Sequence, residues 1–527
     1  MKTVNNEVIY QIYPLTFNYA PGSKSDPYKG AYGNLKGITA LVDYIYSLGV
    51  DAIWITPFYP FGGTGFGYDI TDYCSVAPMF GTVDDFKELC NVYHNKGIRV
   101  IIDQVYNHCS DAHPWFQKSI EGIEPYKDYF IWADAKGFDD EGKPIVPNNW
   151  EAIWNADGKS AWRWNDKRKQ FYMHSFDYTM PNLNISNHNM QDEILTIAKY
   201  WFDLGADGFR LDAAAHYCPD ESFADNPIFK RGKKKGYQDH LYDRQTKGCQ
   251  NFLERLKDLC NSYEIPKTIL AEFAYKASSK KAKKRVKDFL NNSSVDAFFT
   301  GSLNGKCLSD FIEGIEKDLS LVKNGSKLNW AISSHDVERV ASRLFGHDCS
   351  LNKKKMLMHF LLTLPGSICI FQGDELGLCN PKDFSECKNA KCDPLDIWKV
   401  FEMPWDAARA GFAMSDDECD VTRKMALTPD CEQYKLSVSN QNFAGSIFNE
   451  TCMFIKERKN SIFSEHGNVY FIDDICNDEV IAFVRTNVDG TKEILLVYNF
   501  SNSFIKFSHL GENYVLSAQS FMQKVIL

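Results

Sequence analysis

Short runs of β-branched and aromatic residues recur along the chain, separated by stretches whose apolar positions return every three or four residues. Val8 to Tyr13 is the first run. Asp51 to Phe58 is the second, reached through a helical pattern near Leu41 to Leu48. Arg99 to Val105 follows the helical pattern of Asp84 to Cys90, and Gly208 to Asp212 follows that of Asp192 to Leu204. Thr268 to Phe273, Asp296 to Thr300, Asn329 to Ser333 and Ser367 to Phe371 complete the series. Strand-like runs alternating with amphipathic helices predict βα units, and eight of them is the number that closes a parallel (β/α)8 barrel.

The spacing of the runs is uneven. The interval from Asp103 to Asp212 is nearly twice that from Asp212 to Glu272 or from Glu272 to Asp336. The surplus, between about Cys109 and Tyr178, is rich in Trp, Asp, Asn and Gly and has few helical periods, which predicts a subdomain inserted after the third strand. Beyond about Thr451 the pattern changes to short alternating runs such as Glu479 to Val484, Glu493 to Tyr498 and Tyr514 to Leu516, which suit an antiparallel β-domain. The expected class is therefore α/β. A TIM barrel would occupy 1–108 and 179–450, an inserted subdomain 109–178, and a C-terminal β-domain 451–527.

Composition narrows this picture. A chain of 527 residues with 44% hydrophobic and 24% charged residues is long enough for two or three domains and has the balance of a globular protein. A formal charge of -10 disfavours nucleic acid as a partner. Two basic runs, 230–235 and 280–287, read as solvated loop and helix faces. Met356 to Phe371, the most apolar long stretch, contains His359 and Pro365 and is too short to cross a bilayer. The start from Met1 to Glu7 shows no secretory h-region, so the expected compartment is the cytoplasm, with no membrane association. The 16 cysteines are scattered, and the tightest group, Cys387 and Cys392, fits no zinc spacing; free thiols are expected.

Four of the runs end in a carboxylate: Asp103, Asp212, Glu272, and Asp336 in Ser333-Ser334-His335-Asp336. Parallel barrels gather catalytic groups at the C-terminal ends of their strands. Acetal cleavage needs one ionised carboxylate to attack and one protonated carboxyl to release the leaving oxygen. Asp212 suits the attack, because Arg210 lies two residues away on the same strand face and would keep it charged. Glu272, with Ile269, Leu270 and Phe273 around it, is the candidate acid. Asp336 would hold sugar hydroxyls and offset positive charge, His108 and His335 would donate to hydroxyls, and Asp103 would serve as scaffold.

The ordered set resembles glycoside hydrolase family 13, the α-amylase family. Asp103-Gln104-Val105-Tyr106-Asn107-His108, Gly208-Phe209-Arg210-Leu211-Asp212, Ala271-Glu272 and His335-Asp336 are similar to its first four signatures, and Met180-Pro181-Asn182-Leu183-Asn184 to its fifth. Tyr10 to Pro14, Gly67 to Tyr73 and Gln372 to Gly377 agree with its flanking segments. The resemblance implies a retaining enzyme with Asp212 as nucleophile, Glu272 as acid/base and Asp336 as transition-state stabiliser. It also implies Tyr68, Asp69, His108, Arg210 and His335 around the reacting sugar, and Arg339 is a further expected substrate-binding residue. Tyr68 would be the aromatic platform.

Finer features are similar to the α-glucosidase and oligo-1,6-glucosidase group. The Lys-His pair usual in amylases is Ala215-His216 here, and Ala213 after the nucleophile leans toward α-1,4 linkages. The expected activity is release of terminal α-linked glucose from maltose and short malto-oligosaccharides. The alternatives are a disaccharide-forming transglycosidase or isomerase, an α-amylase, and, remotely, a non-catalytic transporter-associated relative. No cofactor is expected. The group's N-terminal calcium loop corresponds to Asn18 to Asp26, which has one carboxylate and a lysine, while Asn107 is the candidate calcium ligand in the manner of amylases. The group's pocket arginine is replaced by Val400.

Overall fold

The structure is a computed structural model that describes residues 6–20, 33–65, 67–153, 159–229, 237–275, 277, 279–323, 325–346, 349–380, 403–405 and 436–527. Eight parallel strands close into a barrel. In order around it they are Val8–Ile12, Ala52–Ile55, Arg99–Gln104, Gly208–Leu211, Thr268–Glu272, Ala297–Phe299, Leu328–Trp330 and Ser367–Phe371, the last pairing with the first. Strands such as Val8–Ile12 and Ser367–Phe371 are buried at every position. Both faces of such a strand are covered, and its sequence is correspondingly a nearly continuous apolar run, interrupted by Gln11 in the first and opened by Ser367 in the last.

The seventh strand departs from expectation. It covers Leu328–Trp330 rather than Asn329 to Ser333, so His335 and Asp336 stand on a loop. Serine hydroxyls take over the backbone there. Ser334 Oγ accepts the Asp336 N–H at 3.2 Å, and Ser333 Oγ accepts that of Val340 at 3.1 Å. Such local bonds compete with a strand ladder.

Two compact units divide the chain. The first comprises Met1–Thr56, Met79–Val100 and Phe299–Leu527; the second, Pro57–Pro78 and Ile101–Phe298. In the first unit, helix Val83–Asn95 starts at a capping box between Thr82 and Asp85 and buries Phe86, Leu89, Cys90 and Tyr93 along one stripe. An antiparallel sheet runs Val469–Phe471, Val480–Thr486, Glu493–Asn499, Ser520–Val525, with a separate hairpin of Ile505–His509 and Glu512–Leu516. Helix Leu351–Thr363 leads into the eighth strand, and its closing carbonyls are met by two buried arginines. Arg458 donates to Leu362 O and Leu364 O, both at 2.7 Å, and to Gly366 O, while Arg485 donates to Thr363 O at 3.2 Å. Cations at a helix C-terminus satisfy carbonyls that have no partner within the helix.

In the second unit the insertion forms a three-stranded antiparallel sheet with Gln170–Met173 between Trp132–Ala133 and Trp162–Asn165. Its core packs Trp150, Trp162, Phe171 and Met173, and both indole N–H groups find acceptors: Ala224 O at 2.9 Å and Asn148 Oδ1 at 2.8 Å. Helix Lys280–Asn292 buries Ala282, Val286, Phe289 and Leu290 and turns its lysines outward. The basic run 280–287 is thus the solvated face of a barrel helix. The run 230–235 lies outside the described residues, as do Cys387 and Cys392; every cysteine among the described residues is a free thiol. Among the described residues no helix is long and apolar enough to cross a membrane.

Candidate active site

Strand register brings the first charged groups together. Gly208–Leu211 lies between Arg99–Gln104 and Thr268–Glu272, with Arg210 directly opposite Asp103 and Leu270. One step past the last paired residues, Leu211 and Ala271, come Asp212 and Glu272. Gly208 permits this approach, since a Cβ there would stand 2.7 Å from Thr268 O.

Arg210 is the hub. Its Nη1 donates to Asp103 Oδ1 at 2.9 Å and to Asp212 Oδ1 at 2.8 Å, and its Nη2 lies 3.0 Å from Glu272 Oε2. The side chain is 1% exposed, against 0% for Asp103, 11% for Asp212 and 25% for Glu272. Burial pulls the pKa of such a guanidinium down. Asp103, Glu272, Tyr68 and Asp212 outweigh that and hold it above its ordinary range. One permanent cation therefore orients three carboxylates. Asp103 is the inner anchor: its Oδ2 accepts the Tyr68 hydroxyl at 3.0 Å, and its carbonyl accepts that of Tyr59 at 2.7 Å.

The residue after Asp212 contributes through its backbone. Ala213 has φ +45°, and its N–H donates to Glu272 Oε2 at 2.9 Å. A non-glycine residue in the left-handed region carries on the order of 1–2 kcal/mol of strain. A β-branched side chain suffers more there. Ala213→Val is therefore expected to lower the urea unfolding midpoint and Ala213→Gly to leave it unchanged or raised. A Val variant as stable as the parent would remove the strain argument.

Around this hub stand further polar groups. His108 is buried beside Phe176, ring centroids 5.0 Å apart, and burial pushes its pKa down to about 3, so it is an uncharged imidazole at neutral pH. Phe176 also faces His216 at 5.7 Å. Burial, assisted by Arg244, holds His216 well below its ordinary value. Asp69 is fully buried; burial raises its pKa, while the Thr64 N–H at 2.9 Å and hydroxyl at 3.2 Å oppose the rise. Tyr68 shows its hydroxyl to Asp103 and its ring to the Arg210 guanidinium at 5.8 Å.

Asn107 turns its amide N toward His108 Nδ1 at 3.2 Å, and its Oδ1 accepts from Asn182 at 3.5 Å. Among the described residues, no three or more His, Cys, Asp or Glu side chains are placed to hold a metal ion.

Within the first unit, His335 Nδ1 meets Gln11 Nε2 at 2.7 Å and its Nε2 lies 3.2 Å from Asp336 Oδ2. Asp336 is 46% exposed and so open to a ligand. Arg339 is fully buried: its guanidinium pairs with Asp374 Oδ1 at 3.0 Å and covers the Phe371 ring at 4.4 Å. In the structure it braces the end of the eighth strand. Val400 and most of the loop from Asn18 to Asp26 lie outside the described residues.

Gln11, Phe176 and the Ala213 N–H are the groups that sequence reasoning missed. Only Gln11 left a signal, as the single amide in the strand Val-Ile-Tyr-Gln-Ile.

Comparison with known proteins gives the family. The family description "Alpha amylase, catalytic domain" matches residues 11–474. An α-glucosidase of Apis mellifera is 28% identical, covering 98% of this chain and 92% of its own. The oligo-1,6-glucosidase IMA5 of Saccharomyces cerevisiae is 29% identical over 95% of this chain and 91% of its own. Among solved structures, an α-glucosyl transfer enzyme, XgtA, superposes with a TM-score of 0.81 at 28% identity and full coverage of both chains. Similarity of that extent, on a closed barrel, makes the chain a glycoside hydrolase of family 13, the α-amylase family, and within it a member of the α-glucosidase group.

Proposed function

We propose that the protein is a retaining α-glucosidase that releases terminal glucose from maltose and short malto-oligosaccharides in the cytoplasm. The observation that carries this reading is the placement of Asp212 and Glu272 against one guanidinium, at 2.8 and 3.0 Å. A shared cation draws the two acids to one place, and a pair of carboxyl groups flanking one glycosidic bond is what double displacement uses.

In this reading Asp212 attacks the anomeric carbon while Glu272 protonates the departing oxygen. A glucosyl ester forms on Asp212. Glu272 then takes a proton from water, whose oxygen attacks the ester and restores the original anomeric configuration. Asp336 offsets the positive charge that grows on the ring, and neutral His108 donates to a hydroxyl without repelling that charge. Arg210, held by Asp103, keeps Asp212 ionised between turnovers. Ala213 supports the preference for α-1,4 linkages.

A second reading, glucosyl transfer to a sugar acceptor, is favoured by the similarity to a solved transfer enzyme. The ester intermediate is common to both, and only the acceptor differs. Product analysis on maltose, isomaltose, sucrose, trehalose and starch separates them. Glucose as the first product from maltose, released as the α-anomer by NMR, is the expected result. β-Glucose would end the retaining mechanism, internal cleavage of starch the exo reading, and new disaccharides at low substrate concentration the hydrolase reading.

A further inference from the structure

Gln11 stands in a strand whose five residues, Val-Ile-Tyr-Gln-Ile, are all buried. It is itself fully buried, and among the described residues its Oε1 has no hydrogen-bond partner. A buried amide satisfied at one end costs stability relative to an apolar residue of the same size. Its other end is committed: Nε2 lies 2.7 Å from His335 Nδ1. We propose that Gln11 is a positioning residue that fixes the neutral Nε2–H tautomer of His335 and so aims that proton at Asp336.

The bonding pattern leads to this assignment. An amide N–H donating to Nδ1 requires a lone pair on Nδ1, which places the ring proton on Nε2. Nε2 is 3.2 Å from Asp336 Oδ2, so the proton lands in a hydrogen bond to the carboxylate. The opposite amide orientation would place Oε1 against Nδ1 and require a proton there. A neutral ring would then present its Nε2 lone pair to the Asp336 carboxylate, two acceptors with no proton between them. Only a doubly protonated ring would suit that orientation. The ring plane is fixed independently, stacked on Tyr13 at 6.3 Å and 14° and met edge-on by Trp54 at 6.0 Å and 84°. Of Gln11, Tyr13, Trp54 and Asp336, the groups named around the ring, Asp336 alone is charged.

The tautomer has a chemical consequence that rests on the role proposed for Asp336. A neutral donor fixes the carboxylate's rotamer and leaves its full negative charge for the cationic transition state. An imidazolium in the same place would cancel part of that charge.

The test uses the full-length protein with 15N-labelled histidine, the His335 signal being assigned from its loss in His335→Asn. The wild type at neutral pH is expected to show the neutral Nε2–H form. Gln11→Glu, whose carboxylate calls for a second ring proton, is expected to show both nitrogens protonated. Its kcat on p-nitrophenyl α-glucoside should fall about 10–100-fold, the usual scale for a group that orients a functional residue through its outer nitrogen. Gln11→Leu, which removes the donor without adding charge, should lose less. An Nδ1–H or doubly protonated ring in the wild type overturns the assignment, as do equal losses in the two variants. Wild-type spectra decide the matter even where a variant fails to fold. Full turnover in Asp336→Asn would instead refute the role of Asp336 and leave the tautomer result intact.

Discussion

Asp212→Asn is expected to lower turnover of p-nitrophenyl α-glucoside by about ten-thousand-fold or more, the scale on which loss of a nucleophile has been felt in other covalent mechanisms. The variant should fold normally. An asparagine Oδ1 still accepts from Arg210 Nη1, which now donates to Asp212 at 2.8 Å, so the geometry survives while the charge does not. Neither neighbouring carboxylate can substitute. Asp103 is fully buried behind the guanidinium, and Glu272 carries the proton transfer in the mechanism proposed above. Unchanged thermal unfolding alongside lost turnover is the outcome that assigns the role. Turnover within tenfold of the parent would refute it.

Arg210→Met should be damaging in a different way. Three carboxylates lose their common cation inside a site where Asp103 and Arg210 are essentially dry. Removing one member of a buried ion pair typically costs about 3–5 kcal/mol, because the partner's charge is left uncompensated. Both the unfolding midpoint and kcat should therefore fall, which distinguishes this variant from Asp212→Asn. Arg210→Lys is expected to recover part of the stability. A point charge on a flexible stem cannot serve three acceptors in fixed directions as the planar guanidinium does. Stability equal to the parent in Arg210→Met would show that Asp103 and Asp212 are held by something other than Arg210.

Much of this fold was legible because buried parallel strands leave compact apolar runs in the sequence. Ser367–Phe371 was found to the residue, and Gly208–Leu211 to within one. The seventh strand was misread for an identifiable reason. Ala331 and Ile332 are buried and apolar, yet they belong to a loop whose hydrogen bonds come from Ser333 and Ser334. Periodicity cannot distinguish a buried strand from a buried loop stabilised by hydroxyls. At the candidate site, the neighbours Arg210 and Asp212 were readable from alternation within one strand. The contact of Arg210 with Glu272 was not, since it depends on register between strands distant in sequence. The Ala213 N–H was invisible for a deeper reason: an alanine at positive φ breaks the local preference that sequence reading relies on. Phe176, flanked by His108 and His216, belongs to a loop whose path no periodic pattern announces.

The two arginines beneath helix Leu351–Thr363 bear on how the chain could be shortened. Arg458 and Arg485 come from beyond the last barrel strand, yet they satisfy the carbonyls of Leu362, Thr363, Leu364 and Gly366 just ahead of it. A fragment trimmed to the eight barrel strands would leave those oxygens buried and bare, at the point where the ring of strands has to shut. The stretch after the last strand is thus no passenger appended to a finished enzyme; one arginine from helix Ile447–Lys459 and one from strand Val480–Thr486 form the clasp under that closure.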